Sequence, residues 1–439
     1  MKSQVKIIGG GLAGSSAALE LASRNIQVEL YEMRPEKMTP AHQTGDLAEL
    51  VCSNSMGSRN TFSANGLLMA ELEILDCELL KIAKTNGVPA GQALAPDRIR
   101  FAGEVTSTIE NHLNIDLIRD EIQLITRDSI VILASGPLTS DALIEEIKLL
   151  IGNEGLYFFD ATSPTVTLDS VDMSRAFWAN RRDPDAHDYL NCPLDVDEFN
   201  EFFEALRDAE RVEIKDFEPD KLFESCLPVE IIATRDSDAL RFGPMKPVGL
   251  KDPETQKGHY AIVQLRKEDK DGKNLNMVGF QTRLTYSEQK RVFSKIPALK
   301  DARFVRLGHM HKNFYIDAPS HLDEFLRLKS APDVFMAGQI TGGEGYLEAV
   351  AQGTIAAINV SRMLNNKNPV SFPPETMLGA FPKALTGFEG KNFQPMKVNF
   401  GMLPPLKNRV RGKRPRREKM AERSMETLSE FIKYENITE

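Results

Sequence analysis

Val5-Lys6-Ile7-Ile8-Gly9-Gly10-Gly11-Leu12-Ala13-Gly14 opens the chain and decides how the rest is read. Val5 to Ile8 form an apolar run suited to a strand buried on both faces, and Gly9, Gly11 and Gly14 stand at GxGxxG spacing where that strand must turn into a helix. In such a turn the first glycine permits the tight bend. The second admits backbone close to a pyrophosphate, and the third lets helix and strand pack together. The helix N-terminus then offers its free N–H groups and partial positive charge to the phosphates, with Gly10, Leu12 and Ala13 completing the cradle.

Alone, this spacing is a weak signal. Here a second apolar run, Gln27 to Tyr31, ends in Glu32, at the distance expected of an acid that hydrogen-bonds a ribose hydroxyl. A carboxylate there suits the adenosine of FAD or NAD and repels a 2′-phosphate, so NADP does not belong in this slot. Far downstream, Val334-Phe335-Met336-Ala337-Gly338-Gln339-Ile340-Thr341-Gly342-Gly343-Glu344-Gly345-Tyr346 repeats the pattern of buried strand, glycine-rich turn and alanine-rich helix. Two such turns at opposite ends of the chain fit one extended dinucleotide, FAD, better than NAD. The fold class expected is α/β.

The chain has 439 residues, too many for one typical core, so two domains or one large domain with an insertion are expected. No apolar run is long enough to span a bilayer, and Met1 to Gln4 lead straight into the first strand without a signal peptide, so a cytoplasmic protein is expected. Cys52, Cys77, Cys192 and Cys226 form no CxxC pair, which argues against a disulfide framework and against a metal site. A net charge of −9 excludes a general nucleic-acid coat but leaves room for a local basic patch.

Leu68, Leu72, Leu75, Leu79 and Ile82 predict one amphipathic helix, with Cys77 off its stripe. Residues 88–128 read as short strands and turns, and Ile130 to Leu133 as another buried strand. From about 175 the chain becomes more charged, with a helix expected at 196–209 and a strand at Tyr260 to Leu265. The expected division is 1–174 and 321–405 for a nucleotide domain in two parts, 175–320 for an insertion, and 406–439 for a basic helical tail. That tail, Lys407 to Arg423, concentrates Lys and Arg, including Arg414, Arg416 and Arg417. It reads either as a solvated helix or as a phosphate-contacting footprint, with Arg241 and Lys246 as further candidates for RNA contact.

Beyond the first turn, Leu50-Val51-Cys52-Ser53-Asn54-Ser55, Cys226-Leu227-Pro228, Arg241 to Leu250, Gly279 to Thr282, Ala337-Gly338-Gln339 and Lys391 to Met396 follow one another in an order that resembles the folate- and flavin-dependent tRNA (uracil-5)-methyltransferases, the TrmFO family, related to MnmG. One departure is Met56-Gly57-Ser58-Arg59, where the family usually has a large residue and then arginine. The resemblance implies an FAD-binding Rossmann-like domain of glutathione-reductase type with an inserted α+β domain. It also implies methylation of the T-loop uridine at position 54 of tRNA. Methylenetetrahydrofolate would be the carbon donor, passing the methylene by way of reduced FAD, and NAD(P)H the reductant.

Carbon 5 of uracil is a poor nucleophile until a nucleophile adds at carbon 6, and a thiolate suits that reversible addition. Within the resemblance, Cys226, near Arg235, Arg241 and Lys246 in sequence, is the first candidate and Cys52 the second. Cys192 reads as structural; His309 and His311 read as packing residues, a base or a phosphate contact. A flavin oxidoreductase acting on a small metabolite, a non-catalytic RNA-binding flavoprotein, and a methyltransferase of ribosomal RNA remain open at this point.

Overall fold

The computed structural model describes residues 4–181, 183, 185–213, 227–253, 255–390 and 392–437. The chain lays down β1 (Gln4–Ile8), β2 (Gln27–Tyr31), β3 (Ile115–Ile118) and β4 (Ile130–Leu133) as parallel neighbours in the order β4-β1-β2-β3. Val5, Ile7, Val131, Ile132 and Leu133 are buried, as strands covered on both faces require.

The chain then leaves this sheet through β5 (Leu156–Ala161). It builds β6 (Thr165–Thr167), β7 (Phe177–Trp178), β8 (Tyr189–Leu194), β9 (Ala261–Lys267), β10 (Asn274–Met277) and β11 (Phe304–Arg306) into an antiparallel sheet of order β11-β6-β10-β9-β8-β7. This sheet has its own core around Phe199, Phe202, Phe280 and Phe293. The return runs along β12 (Met310–Tyr315), which pairs antiparallel with β5 from Met310↔Ala161 to Tyr315↔Leu156. β13 (Arg327–Leu328) and β14 (Ala331–Met336) complete the first sheet, β14 lying parallel beside β4.

The helices Leu12–Ser23 and Tyr346–Leu364, which follow the two glycine-rich turns, pack on each other. Gly353 makes this possible: a Cβ there would fall on the backbone of Ala13. Beside it Ser16 and Thr354 share a hydrogen bond of 3.0 Å.

The predicted helix through Leu68 and Ile82 is two helices, Ala64–Ile74 and Glu78–Thr85. Asp76, with φ +60°, breaks them apart, and Cys77 is buried at the start of the second within 3.9 Å of Ser16 and Thr354. Residues 88–128, expected to be strands and turns, contain the helix Arg98–Glu110, started by the Asp97 carboxylate accepting from the N–H groups of Ile99 and Arg100. The expected helix at 196–209 spans Val196–Arg207 and carries a full capping box between Asp195 and Glu198.

At the C-terminus, the helix Lys413–Glu435 buries Met420, Ala421, Leu428 and Ile432, so its inner face belongs to the first core. Glu71, wholly buried, accepts from the N–H groups of Met377 and Leu378 at 2.7 and 2.8 Å and from the Ser424 hydroxyl at 2.5 Å. One carboxyl therefore fixes the start of the helix Met377–Thr386 and the side of the terminal helix.

Gly353→Ala should lower stability by about 2 kcal/mol, because the new methyl group meets backbone that cannot rotate away. Thermal unfolding followed by circular dichroism measures this; an unchanged midpoint would mean the two helices can separate without loss.

Candidate functional site

The first glycine turn ends β1. Gly9, at φ +106°, donates its N–H to the Tyr31 carbonyl at 2.8 Å, and a Cβ on it would meet the Ala134 carbonyl oxygen at 2.5 Å. Gly14 sits against the Gly9 carbonyl, whereas a Cβ on Gly11 would meet nothing within 4 Å. Gly11 is also the residue that precedes Leu12 and Ala13 in the first helical turn, whose N–H groups lack intrahelical partners. An open space at that place suits a diphosphate.

Glu32 lies at the edge of this space. Its carboxylate accepts from Gly10 N–H at 2.9 Å and from Arg34, through Nε at 2.8 Å and the backbone N–H at 3.0 Å. Burial alone would raise the Glu32 carboxyl, but the Arg34 bonds and charge and the Gly10 N–H outweigh it and hold it below the usual carboxylate range. A cleft lined by Gly9, Glu32, Met33, Ser135 and Thr139 opens beside it. These residues fit the adenosine half of a dinucleotide.

The second turn follows β14. Gly338 (φ +88°) donates to Gln352 Oε1 at 3.1 Å, Gln339 hydrogen-bonds Glu344, and Gly342 (φ +82°) and Gly345 (φ +125°) allow the chain to enter the helix that Tyr346 begins. Both turns lie side by side, since a Cβ on Gly338 would come within 2.9 Å of the Ala13 side chain.

Beside the second turn is a pocket of about 250 Å³ into which Cys52, Asp160, His311, Gln339, Glu344, Tyr346 and Lys397 contribute. Cys52 N–H donates to the Tyr346 hydroxyl at 3.0 Å, its carbonyl accepts from Arg98 Nη2 at 3.2 Å, and its Sγ lies 3.9 Å from the Ala161 carbonyl. Cys52 and the second turn, distant in sequence, thus form one wall. Burial pushes Glu344 up to about 8, reinforced by the charge of Asp160, and pushes Glu348 up to about 7. Glu344 is therefore protonated near neutrality and can donate as well as accept. His311 is pushed down to about 3 by burial and by His309 and His42, so it stays neutral. Neither of its ring nitrogens has a hydrogen-bond partner among the described residues, while His309 Nε2 lies 3.2 Å from the Pro40 carbonyl.

Cys226 lies outside the described residues. Cys192 is buried in the second core, where burial pushes its thiol up to about 12. Arg241 is stacked over Tyr260 at 4.2 Å and Phe242 at 4.9 Å and donates to the Tyr260 carbonyl; Lys246 is exposed. Arg414 lies over Phe62 at 4.6 Å and Arg417 over Phe400 at 5.0 Å. Arg416 and Arg417 line an open basin with Lys407, Arg409 and Arg411. Sequence reading singled out neither Arg98 nor Asp160 nor Lys397, because each stands in an unremarkable stretch and becomes a site residue only through tertiary contact.

The two glycine turns on a parallel sheet, with a second domain spliced between them, define a dinucleotide-binding protein of the GidA type. Residues 4–368 match the family described as GIDA, glucose inhibited division protein A. The solved structure of GidA from Aquifex aeolicus in its form II crystal superposes with a TM-score of 0.70 at 17% identity, covering 98% of this chain and 73% of that one. Within that class, the curated methylenetetrahydrofolate–tRNA-(uracil-5-)-methyltransferase TrmFO of Aquifex aeolicus is 51% identical over 437 residues, 100% of this chain and 98% of that protein. The enzyme of the same name from Thermotoga maritima is 50% identical over 430 residues, 98% of each chain. The chain belongs to the TrmFO family.

Because Gly11 faces open space, Gly11→Val should fold normally yet purify without flavin. Visible absorbance after desalting, beside a melting curve, tests this; a folded variant with full flavin content would refute the assignment of the turn.

Proposed function

We propose that the chain methylates carbon 5 of the uridine at position 54, in the T loop of tRNA, with methylenetetrahydrofolate as carbon donor. The observation that supports this most is the position of Cys52, a thiol fixed at the wall of a pocket that begins at the second glycine turn. The Gly9–Gly14 and Gly338–Gly345 turns and Glu32 would hold FAD, which when bound and reduced by NAD(P)H would supply the reducing equivalents that bring the transferred carbon to the methyl level.

The chain's own groups carry the remaining steps. The Cys226 thiolate adds to carbon 6 of uracil, forming the S–C bond and moving an electron pair to the carbon 4 oxygen, so that carbon 5 becomes nucleophilic. After carbon 5 has bonded to the incoming carbon, the Cys52 thiolate takes the carbon 5 proton as the bond between that carbon and its donor nitrogen breaks, leaving an exocyclic methylene. Addition of a hydride equivalent to this methylene completes the methyl group as the S–C bond breaks, the ring regains its double bond and the Cys226 thiolate is released. Buried Glu344 and half-buried Tyr346 line the pocket where the second turn enters its helix and limit the access of bulk water to the reacting carbon. Arg414, Arg416 and Arg417, with Arg241 and Lys246, hold the RNA by its phosphates. The first core with its two turns serves as the nucleotide domain, and the second core serves as the insertion through which the RNA is met.

A T-arm RNA carrying 5-fluorouridine at position 54 should form an adduct that survives denaturing electrophoresis, since fluorine cannot leave as a proton does. Cys226→Ala should abolish the adduct and Cys52→Ala should not, with flavin reduction intact in both. A ribosomal RNA fragment as the better methyl acceptor, or peptide mapping of the adduct to Cys52, would overturn the substrate or the roles respectively.

Replacing Arg414, Arg416 and Arg417 together with alanine should weaken tRNA binding and flatten the plot of log affinity against log salt by about 0.7 to 0.9 for each phosphate that the variant leaves without a cation. An unchanged slope would make this face a solvated surface only.

A further inference from the structure

Beneath the Cys52 pocket wall, two arginines, buried Arg98 and half-buried Arg306, converge on one buried carboxylate. Glu268, just beyond β9, receives Arg98 Nη2 at 2.7 Å and Arg306 Nη2 at 2.5 Å on the same oxygen, while its other oxygen accepts from the Thr165 hydroxyl at 3.2 Å. Arg266 on β9 adds a third guanidinium, itself buried. A buried ion cluster of this kind contributes little net stability, since desolvation of each charge offsets most of the attraction. Its geometry has another use.

Arg98 begins the helix Arg98–Glu110 of the nucleotide domain, and Glu268 belongs to the second domain; Arg98 N–H also reaches the Glu268 carbonyl at 3.4 Å. The same Nη2 that binds Glu268 donates to the carbonyl of Cys52, whose N–H is held from the opposite side by Tyr346. Two residues on, Asn54, fully buried, donates to the Pro96 carbonyl at 3.1 Å and to the Lys267 carbonyl at 3.3 Å. The peptide that carries the thiol is thus clamped between the start of the helix Arg98–Glu110 and the end of β9 in the inserted domain.

We propose that Arg98, locked by Glu268, is a positioning residue for Cys52, so that the register of the inserted domain sets where the Cys52 thiol stands in the pocket. The proposal rests on the reading of Cys52 as a participating thiol. Among the described residues the Arg98 side chain hydrogen-bonds Glu268 and the Cys52 carbonyl and no residue of the Gly9–Gly14 or Gly338–Gly345 turn, which separates its expected effect from loss of cofactor.

The test uses the full-length flavin-loaded enzyme and the variants Arg98→Lys and Arg98→Met. In Arg98→Met, kcat for tRNA methylation should fall about tenfold or more, the scale at which small misplacements of reacting groups are felt. KM for tRNA and for methylenetetrahydrofolate should stay within twofold, and flavin content and flavin reduction by NAD(P)H should be unchanged. Amide hydrogen exchange at residues 51–56 should accelerate, with exchange in the helix Leu12–Ser23 unaltered. Arg98→Lys, which can still reach one of the two oxygen partners, should recover part of kcat. Parent-like kcat with parent-like protection of residues 51–56 overturns the proposal. So does a loss of kcat that travels with lost flavin or a lowered melting point and is not relieved by lysine, because the arginine would then be structural only. Full methylation by Cys52→Ala would instead remove the reading on which the proposal rests, while leaving the exchange result to report on the clamp.

Discussion

The close crossing of the helices Leu12–Ser23 and Tyr346–Leu364 is the constraint on which the rest of the molecule depends. Gly353 against the Ala13 backbone sets the separation, and Gly338 beside Ala13 carries the same closeness to the mouths of the two turns. Residues near 10 and residues near 340 thereby lie side by side. Everything between can be elaborated without disturbing it, and the antiparallel sheet inserted after β5 is such an elaboration, leaving and returning along a single two-stranded ribbon. This arrangement places the second domain beside the pocket.

The seam between the two cores is polar, unlike either interior. Asp97 caps the helix Arg98–Glu110 and also accepts from Lys270 N–H at 2.9 Å; Arg98 meets Glu268; Asn54 meets Lys267. Polar seams are directional, so they fix register in a way that apolar contact of equal area does not. The apolar surfaces of both domains are spent within their own cores, and orientation between them falls to hydrogen bonds. A pocket formed at such a seam inherits its shape from both sides.

Much of this was legible in the chain. The GxGxxG turn, Glu32 and the second turn at Gly338 could be read because local backbone demands, tight turns and close approach, leave glycine as the residue that meets them. The strands at Gln27–Tyr31 and Ile130–Leu133 were legible from apolar runs alone. The helix Arg98–Glu110 was not, because its buried residues Phe101, Val105 and Ile109 are interleaved with polar and β-branched ones and its first buried residue is an arginine. The break at Asp76 was hidden by a leucine spacing that continues across it in register. In the pocket, Cys52 stood out as a thiol among small polar residues, whereas Asp160, Glu344 and Lys397 gain their character from burial and mutual charge, which no local pattern records.

The terminal helix has one further consequence. Arg414, Arg416 and Arg417 stand in its opening turns, directly ahead of the turns that supply Met420, Ser424 and Leu428 to the first core, and Ser424 bonds the carboxyl that also starts another helix. This surface is therefore not an appended module that a lineage could shed or exchange. Removing this helix would take Met420, Ala421, Leu428 and Ile432 out of the first core, so its surface charge is open to change by exchange of exposed side chains and not by loss of the segment.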